Sequence, residues 1–370
     1  MNAIAPAKSQ RLLSLDFYRG LIMVILILGE TGFFSKLNHA SDNSFTHFLA
    51  TQFVHSKWHG LHFWDLLLPA FMLIAGVSLA FSCNKQQQLG YTWKQSFLKV
   101  LKRSFWLLFW GVLIYAVRNQ KLNLQFSNVL TELSFATLIA FLIIRLSPMW
   151  QLAVSLLCLL IPELLLRYSN VPGFDQPFVD QHNFANYVDL LVINRVNKGY
   201  GTTLNCLPSA AHTIWGMMAG QFLLGIKTAN EKTKRLIAFG VIALVMGITL
   251  DVTGITPVLK WIASSSFILV TGGIGLIVLA ILYYRIDVRK NQRYLLFFTI
   301  VGMNSILIYL FFNFIGSKWM NHFIETLCSG LLGIIHIPEA VGSIVGCLII
   351  FSIEWWLCYF LYKKKIFFKL

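Results

Sequence analysis

One stretch limits this chain more than any other: residues 63–82, which read FWDLLLPAFMLIAGVSLAFS and carry a single charge, Asp65. At about 1.5 Å per residue these 20 positions span roughly the 30 Å of a bilayer's hydrocarbon core. Nine more apolar runs follow the same logic, at 17–34, 105–117, 127–146, 149–166, 204–224, 236–251, 262–284, 295–314 and 340–362. Lipid offers no partner for backbone N–H and C=O groups, so such runs must close their own hydrogen bonds as helices. The expected fold is an all-α polytopic integral membrane protein with ten transmembrane helices, of which 105–117 and 236–251 are the shortest. The first run is long for a signal-peptide core and contains Arg19 and Glu30, so it reads as a retained helix. No Gly/Ser-rich linker and no internal repeat divides the chain. Residues 1–370 read as one transmembrane domain.

Composition agrees, with 57% hydrophobic and only 12% charged residues and a mean hydropathy of +0.68; soluble domains run near 25% charged. The net charge of +15 raises the question of nucleic acid. The bases lie between apolar runs rather than on a soluble domain, so the expected partner is a lipid bilayer and not a nucleic acid. With the N-terminus placed in the cytoplasm, 21 of the 30 Lys and Arg residues fall on the cytoplasmic side. By the positive-inside rule this places both termini in the cytoplasm. The six cysteines show no CxxC or Cys/His spacing, so neither a metal site nor a disulfide framework is expected.

Ionisable groups inside apolar runs are costly and draw attention. The segment HSKWHGLHFWD sets His55, Trp58, His59 and His62 just ahead of Asp65 on the outer side. Histidine accepts and returns protons near neutral pH. Asp16 and Arg19 are three apart and share a helix face; a plain salt bridge explains them as well as phosphate binding does. Glu30 lies three turns above Arg19. Glu132, Glu163, Asp251, Glu354 and His212 read as satisfied structural groups, and Gly216 and Gly220 as a GxxxG packing face. The longest outer loop, 167–203, contains NFANYVDLLVINRV. Its spacing puts Phe184, Tyr187, Leu190 and Leu191 on one apolar face, for a helix lying in the interface or packed on its own protein.

These pieces together resemble the heparan-α-glucosaminide N-acetyltransferase family of transmembrane acyltransferases. RLLSLDFYRG (11–20) resembles its opening S-x-D-x-x-R-G, and HSKWHGLHFWDLLLPAF its His-x-x-Trp-x-Gly signature with Asp, Pro and Phe. NFANYVD, PSAAHTIWGMMAG, PVLKWIASSSFILVTGG, GMNSILIY and the tail LYKKKIFFKL resemble later elements in the family's order. The resemblance implies acetyl-CoA as co-substrate from the cytoplasmic side and an amino sugar or glycan fragment as acceptor on the far side. It also implies a bacterial inner-membrane location, with a homodimer left open. It assigns catalysis to His55, with Glu30 and Asp65 beside it. Asp16, Arg19, Ser265, Ser266 and Asn304 become candidates for the cofactor, and Trp58, His59 and Lys260 for the acceptor. The family carries Asn where this chain has Glu30, so the residue there cannot donate as an amide when ionised; it would orient His55 or bind an ammonium. O-acylation of an envelope glycan and small-solute transport remain as alternative functions, although the repeats common in transporters are missing.

Overall fold

The computed structural model describes residues 12–40, 43–121, 124–197 and 201–368. It is helical throughout. Its helices are α1 (Leu13–Glu30), α2 (Phe33–Ala40), α3 (Ser44–Gln52), α4 (Leu67–Gln88), α5 (Trp93–Asn119), α6 (Val129–Ile143), α7 (Pro148–Tyr168) and α8 (Phe184–Ile193). Then follow α9 (Ala210–Leu224), α10 (Ala229–Val252), α11 (Ser265–Leu282), α12 (Leu295–Met303), α13 (Ser305–Phe311), α14 (Asn321–Ile334) and α15 (Glu339–Lys363). The described residues form no strand, only the isolated bridge between His59 and Leu259.

Each of the ten apolar runs contains a helix, but the number of crossings is smaller by length and composition. Among the described residues six helices pass on their own, and eight if two bent pairs are each one span: α1 with α2 (56°), and α12 with the run Ser305–Ile334 that includes α13 and α14 (68°). Helices α6 and α9 have 15 residues each, about 22 Å, and fall short of a bilayer by themselves. The expected ordering of lengths is also corrected. Helix α5 is the longest of all at 27 residues, and α10 has 24. Both begin well before their apolar runs because polar caps start them there. The Thr92 side chain accepts from the Gln95 amide, and Thr228 accepts from the Glu231 amide, supplying partners that the first turn lacks. Hydropathy alone is blind to such basic first turns. Lys8, Arg11 and Lys369, part of the charge count, lie outside the described residues.

Helix α4 is the axis of the bundle. It packs on α9, α6, α11 and α1. Together with α11 it is the most buried span, with 61% and 67% of their apolar windows inside the protein, against 17% for lipid-facing α10. Glycine makes the α4–α9 contact close. A Cβ at Gly216 would fall 1.9 Å from the Leu73 carbonyl oxygen, and one at Gly76 2.0 Å from that of Thr213. The two backbones touch where side chains would hold them apart.

In the loop 167–203, Leu190 and Leu191 of the expected apolar face are exposed, and Phe184 and Tyr187 are half-buried. Asn183 caps α8 by accepting from the Asn186 amide. The inward residues are Ala185, Asn186 and Asp189, whereas Leu190, Leu191 and Val192 are exposed. Asp189 accepts from the Thr203 amide at 2.7 Å, so polar bonding fixes this helix and its apolar side points outward.

Candidate active site

Two irregular segments, 53–62 and 254–264, meet over the outer end of α4. Gly60, at φ +106°, donates its amide to the Val258 carbonyl at 3.0 Å, in a backbone region that disfavours side chains. The Trp261 indole donates to the Ser56 and Lys57 carbonyls at 3.1 and 2.8 Å. This pairing brings Lys260 to His55 across 205 positions of sequence.

Asp65 lies between them, 1% exposed. Its Oδ1 is 2.8 Å from His55 Nδ1 and 2.9 Å from Lys260 Nζ. Its Oδ2 accepts the amides of His62 at 3.0 Å and Ser56 at 3.3 Å. Four donors on one buried carboxylate keep it ionised at acceptable cost. Because a carboxylate only accepts, the Nδ1 edge of His55 must carry the proton. That leaves Nε2 with the lone pair, 3.2 Å from Lys260 Nζ, which also touches Nδ1. The His55 ring is 41% exposed and lines a cavity. Burial there pushes its pKa below the ordinary 6.5; Asp65 opposes this and Lys260 adds to it. Burial also lowers the Lys260 ammonium, against the pull of Asp65. The result is a neutral, oriented imidazole.

The cavity that His55, Asp65 and Lys260 face encloses about 620 Å³. Glu30, Arg118, Glu132, Tyr309 and Lys318 line it as well. Of the two roles expected for Glu30, orienting His55 or binding an ammonium, the hold on the His55 ring is taken by Asp65, while Glu30 lines the same cavity near the charge of Arg118. A second cavity, about 460 Å³, sits toward the other end of α4. Arg19, Lys99 and Arg103 line it, with Ser78, Ser82 and Gln86. The Arg19 guanidinium donates to Ser78 Oγ at 2.8 Å. The two cavities share three wall residues, Phe71, Val129 and Tyr309, so they are back to back.

Other expected site residues have different surroundings. Asp16, one turn below Arg19, offers its backbone oxygen to the tight contact with Gly302. Ser265 donates to Glu163 at 3.0 Å and Ser266 to the Pro257 carbonyl at 2.8 Å; neither lines the two cavities. Asn304 accepts from the Phe368 amide at 3.0 Å and donates to the Ile366 carbonyl at 3.1 Å. It thereby clamps the tail whose Phe368 walls the basic cavity. The Trp58 indole donates to the Phe178 carbonyl at 2.9 Å, and His59 Nε2 pairs with Asp251 at 2.8 Å; both tie the outer loops together. Arg118 and Lys318 were not anticipated, since they carry no signal beyond sitting in or beside apolar runs; Tyr309 closes the motif GMNSILIY but had no role assigned. Glu132 reads from the sequence as a structural group; the cost of an acid in that run was the available clue. Among the described residues no cluster of His, Cys, Asp and Glu has a metal-binding arrangement.

The apolar helices define a multi-pass membrane protein, with an oriented histidine over a polar cavity. The sequence profile of the heparan-alpha-glucosaminide N-acetyltransferase catalytic domain matches residues 11–250, about two thirds of the chain. The protein belongs to this family of membrane acetyltransferases. None of the curated proteins matches the chain. Lys260, Ser265, Ser266 and Asn304 lie beyond the matched segment.

Proposed function

We propose that the protein is a transmembrane N-acetyltransferase that moves an acetyl group from acetyl-CoA, bound in the basic cavity, to the amine of a glucosamine-type sugar in the His55 cavity. The observation that carries this reading is the pair of cavities back to back on α4, one with three cationic side chains and the other with an oriented imidazole. Arg19, Lys99 and Arg103 suit the CoA phosphates. The acyl arm passes the Phe71–Val129–Tyr309 partition toward His55. The excess of Lys and Arg on one side supports a basic cavity facing the cytoplasm and a His55 cavity facing the periplasm, in a bacterial inner membrane. Ten crossings result if α6 and α9 count as short spans inside the bundle.

The chemistry follows from the imidazole. An ammonium acceptor first loses a proton. His55 Nε2 then takes a proton as the amine nitrogen attacks the thioester carbonyl. A C–N bond forms, the C–S bond breaks, and the CoA thiolate leaves and is protonated; the net products are amide, CoA thiol and one proton. Asp65 stabilises the imidazolium through Nδ1–H, and Lys260, beside both, is placed to face the carbonyl oxygen as charge develops on it. Purified protein is expected to release CoA thiol from acetyl-CoA only when glucosamine is present. His55→Ala is expected to cut that rate about 10²–10⁴-fold. Acceptor-dependent thiol release that survives in His55→Ala refutes the assignment.

A further inference from the structure

Among the described residues three carboxylates line the His55 cavity, Asp65, Glu30 and Glu132, and Glu30 is the exposed one. Asp65 is saturated by four donors. Glu30 faces the charge of Arg118. The third, Glu132, lies in the first turn of α6 and is 2% exposed. Ser209 approaches it, yet its Oε2 has no hydrogen-bond partner among the described residues. The polar neighbours on that wall are engaged elsewhere. Asn128 donates to the Gly111 carbonyl at 2.8 Å and accepts the amides of Leu130 and Thr131. Asn205 accepts from Thr202 at 2.8 Å and donates to the Trp261 carbonyl at 3.2 Å. The charge of Lys260 reaches Glu132 as well as Asp65, so the orphan oxygen and the His55 base belong to one electrostatic neighbourhood.

A buried carboxylate oxygen without a donor is expensive, and a ligand that brings both a donor and a positive charge removes most of that cost. We infer that Glu132 is the anchor for the acceptor's ammonium group, the residue by which the cavity selects an amine over a hydroxyl. This inference rests on the N-acetyltransfer reading above and deepens it. Glu132 holds the protonated amine by charge; one proton leaves to water, and His55, across the same cavity, takes the second as the C–N bond forms and the C–S bond breaks, so that the thiolate leaves and is protonated. A neutral sugar offers only hydroxyls and brings no positive charge to Glu132.

The test is Glu132→Gln, which keeps shape and removes charge, with Glu132→Asp as the charge-preserving companion. The KM for glucosamine is expected to rise tenfold or more in Glu132→Gln and to recover in part in Glu132→Asp. The KM for acetyl-CoA and the melting temperature in detergent are expected to stay unchanged. Binding is read separately from turnover, as the thermal shift that glucosamine, or glucose as the neutral control, produces in each protein. Glucosamine is expected to stabilise the wild type and not Glu132→Gln, and glucose to treat both alike. The anchor is overturned if Glu132→Gln keeps the wild-type KM and thermal shift, if it loses glucose and glucosamine equally, if it loses acetyl-CoA affinity or stability to the same degree, or if glucosamine fails to stabilise the wild type. Wild-type protein that binds glucosamine through Glu132 but transfers no acetyl group refutes the acetyltransferase reading while leaving the anchor standing.

Discussion

At the residue scale the site turns on one lysine. Lys260 shares Asp65 with His55, and its positive charge holds the imidazole pKa down. The sign can be followed directly. His55 works as a base only when neutral, so the rate rises as pH passes upward through its folded pKa. That value lies below 6.5, which leaves the rate on its plateau at neutral pH. Lys260→Met removes a charge that opposes the imidazolium, so His55 titrates higher and the acid limb of the pH–rate profile moves to higher pH. An unmoved limb in Lys260→Met means that the lysine does not tune the base. Only part of this was legible in the sequence. His55 and Asp65 sit ten residues apart in one motif, and their union could be anticipated. Lys260 reaches them from 205 positions away, through a loop pairing that no local pattern announces. Trp58 and His59 sit in the same motif, yet their polar atoms go to Phe178 and Asp251, because folding the outer loops over the site needs partners of its own.

At the element scale the apolar runs located the helices well and their ends badly. Hydropathy marks what lies in hydrocarbon, and the caps at Thr92 and Thr228 lie outside it. The bend at Asn304 escaped for the same reason. That residue spends its side chain on the tail at Ile366 and Phe368 and leaves the helix there. The GxxxG pair was legible, and it sits where α9 meets the backbone of α4. Gly216→Ala forces a Cβ against the Leu73 carbonyl. It is expected to cost about 1–3 kcal/mol of stability, typical of overpacking, seen as a lower melting temperature in detergent. Phe239→Ala, on the exposed face of α10, is the control and is expected to leave the melting temperature nearly unchanged. Equal melting of the two variants contradicts the close α4–α9 contact.

At the scale of the whole molecule, two cavities lie on either side of a thin wall. Arg19, Lys99 and Arg103 in the basic cavity suit the anionic donor proposed for it, whereas the His55 cavity carries both carboxylates, Glu30, Asp65 and Glu132, and cations, Arg118, Lys260 and Lys318. Arg19→Ala is therefore expected to raise the KM for acetyl-CoA about tenfold or more, the loss of a charge-assisted phosphate contact, while the glucosamine KM holds steady. The wall itself gives the sharper prediction. Phe71, Val129 and Tyr309 border both cavities, so the acetyl group reaches His55 only by passing them. Phe71→Trp enlarges that wall without adding charge to either cavity. It is expected to lower kcat while both KM values stay near wild type, because each ligand still fills its own cavity and the reacting atoms no longer meet. In sealed vesicles the same geometry demands sidedness. Acetyl-CoA must be supplied on the face of the basic cavity and glucosamine on the other. Product formed with both substrates confined to the His55 face breaks the through-bundle route, because it requires the donor to enter beside the acceptor and never to cross that partition.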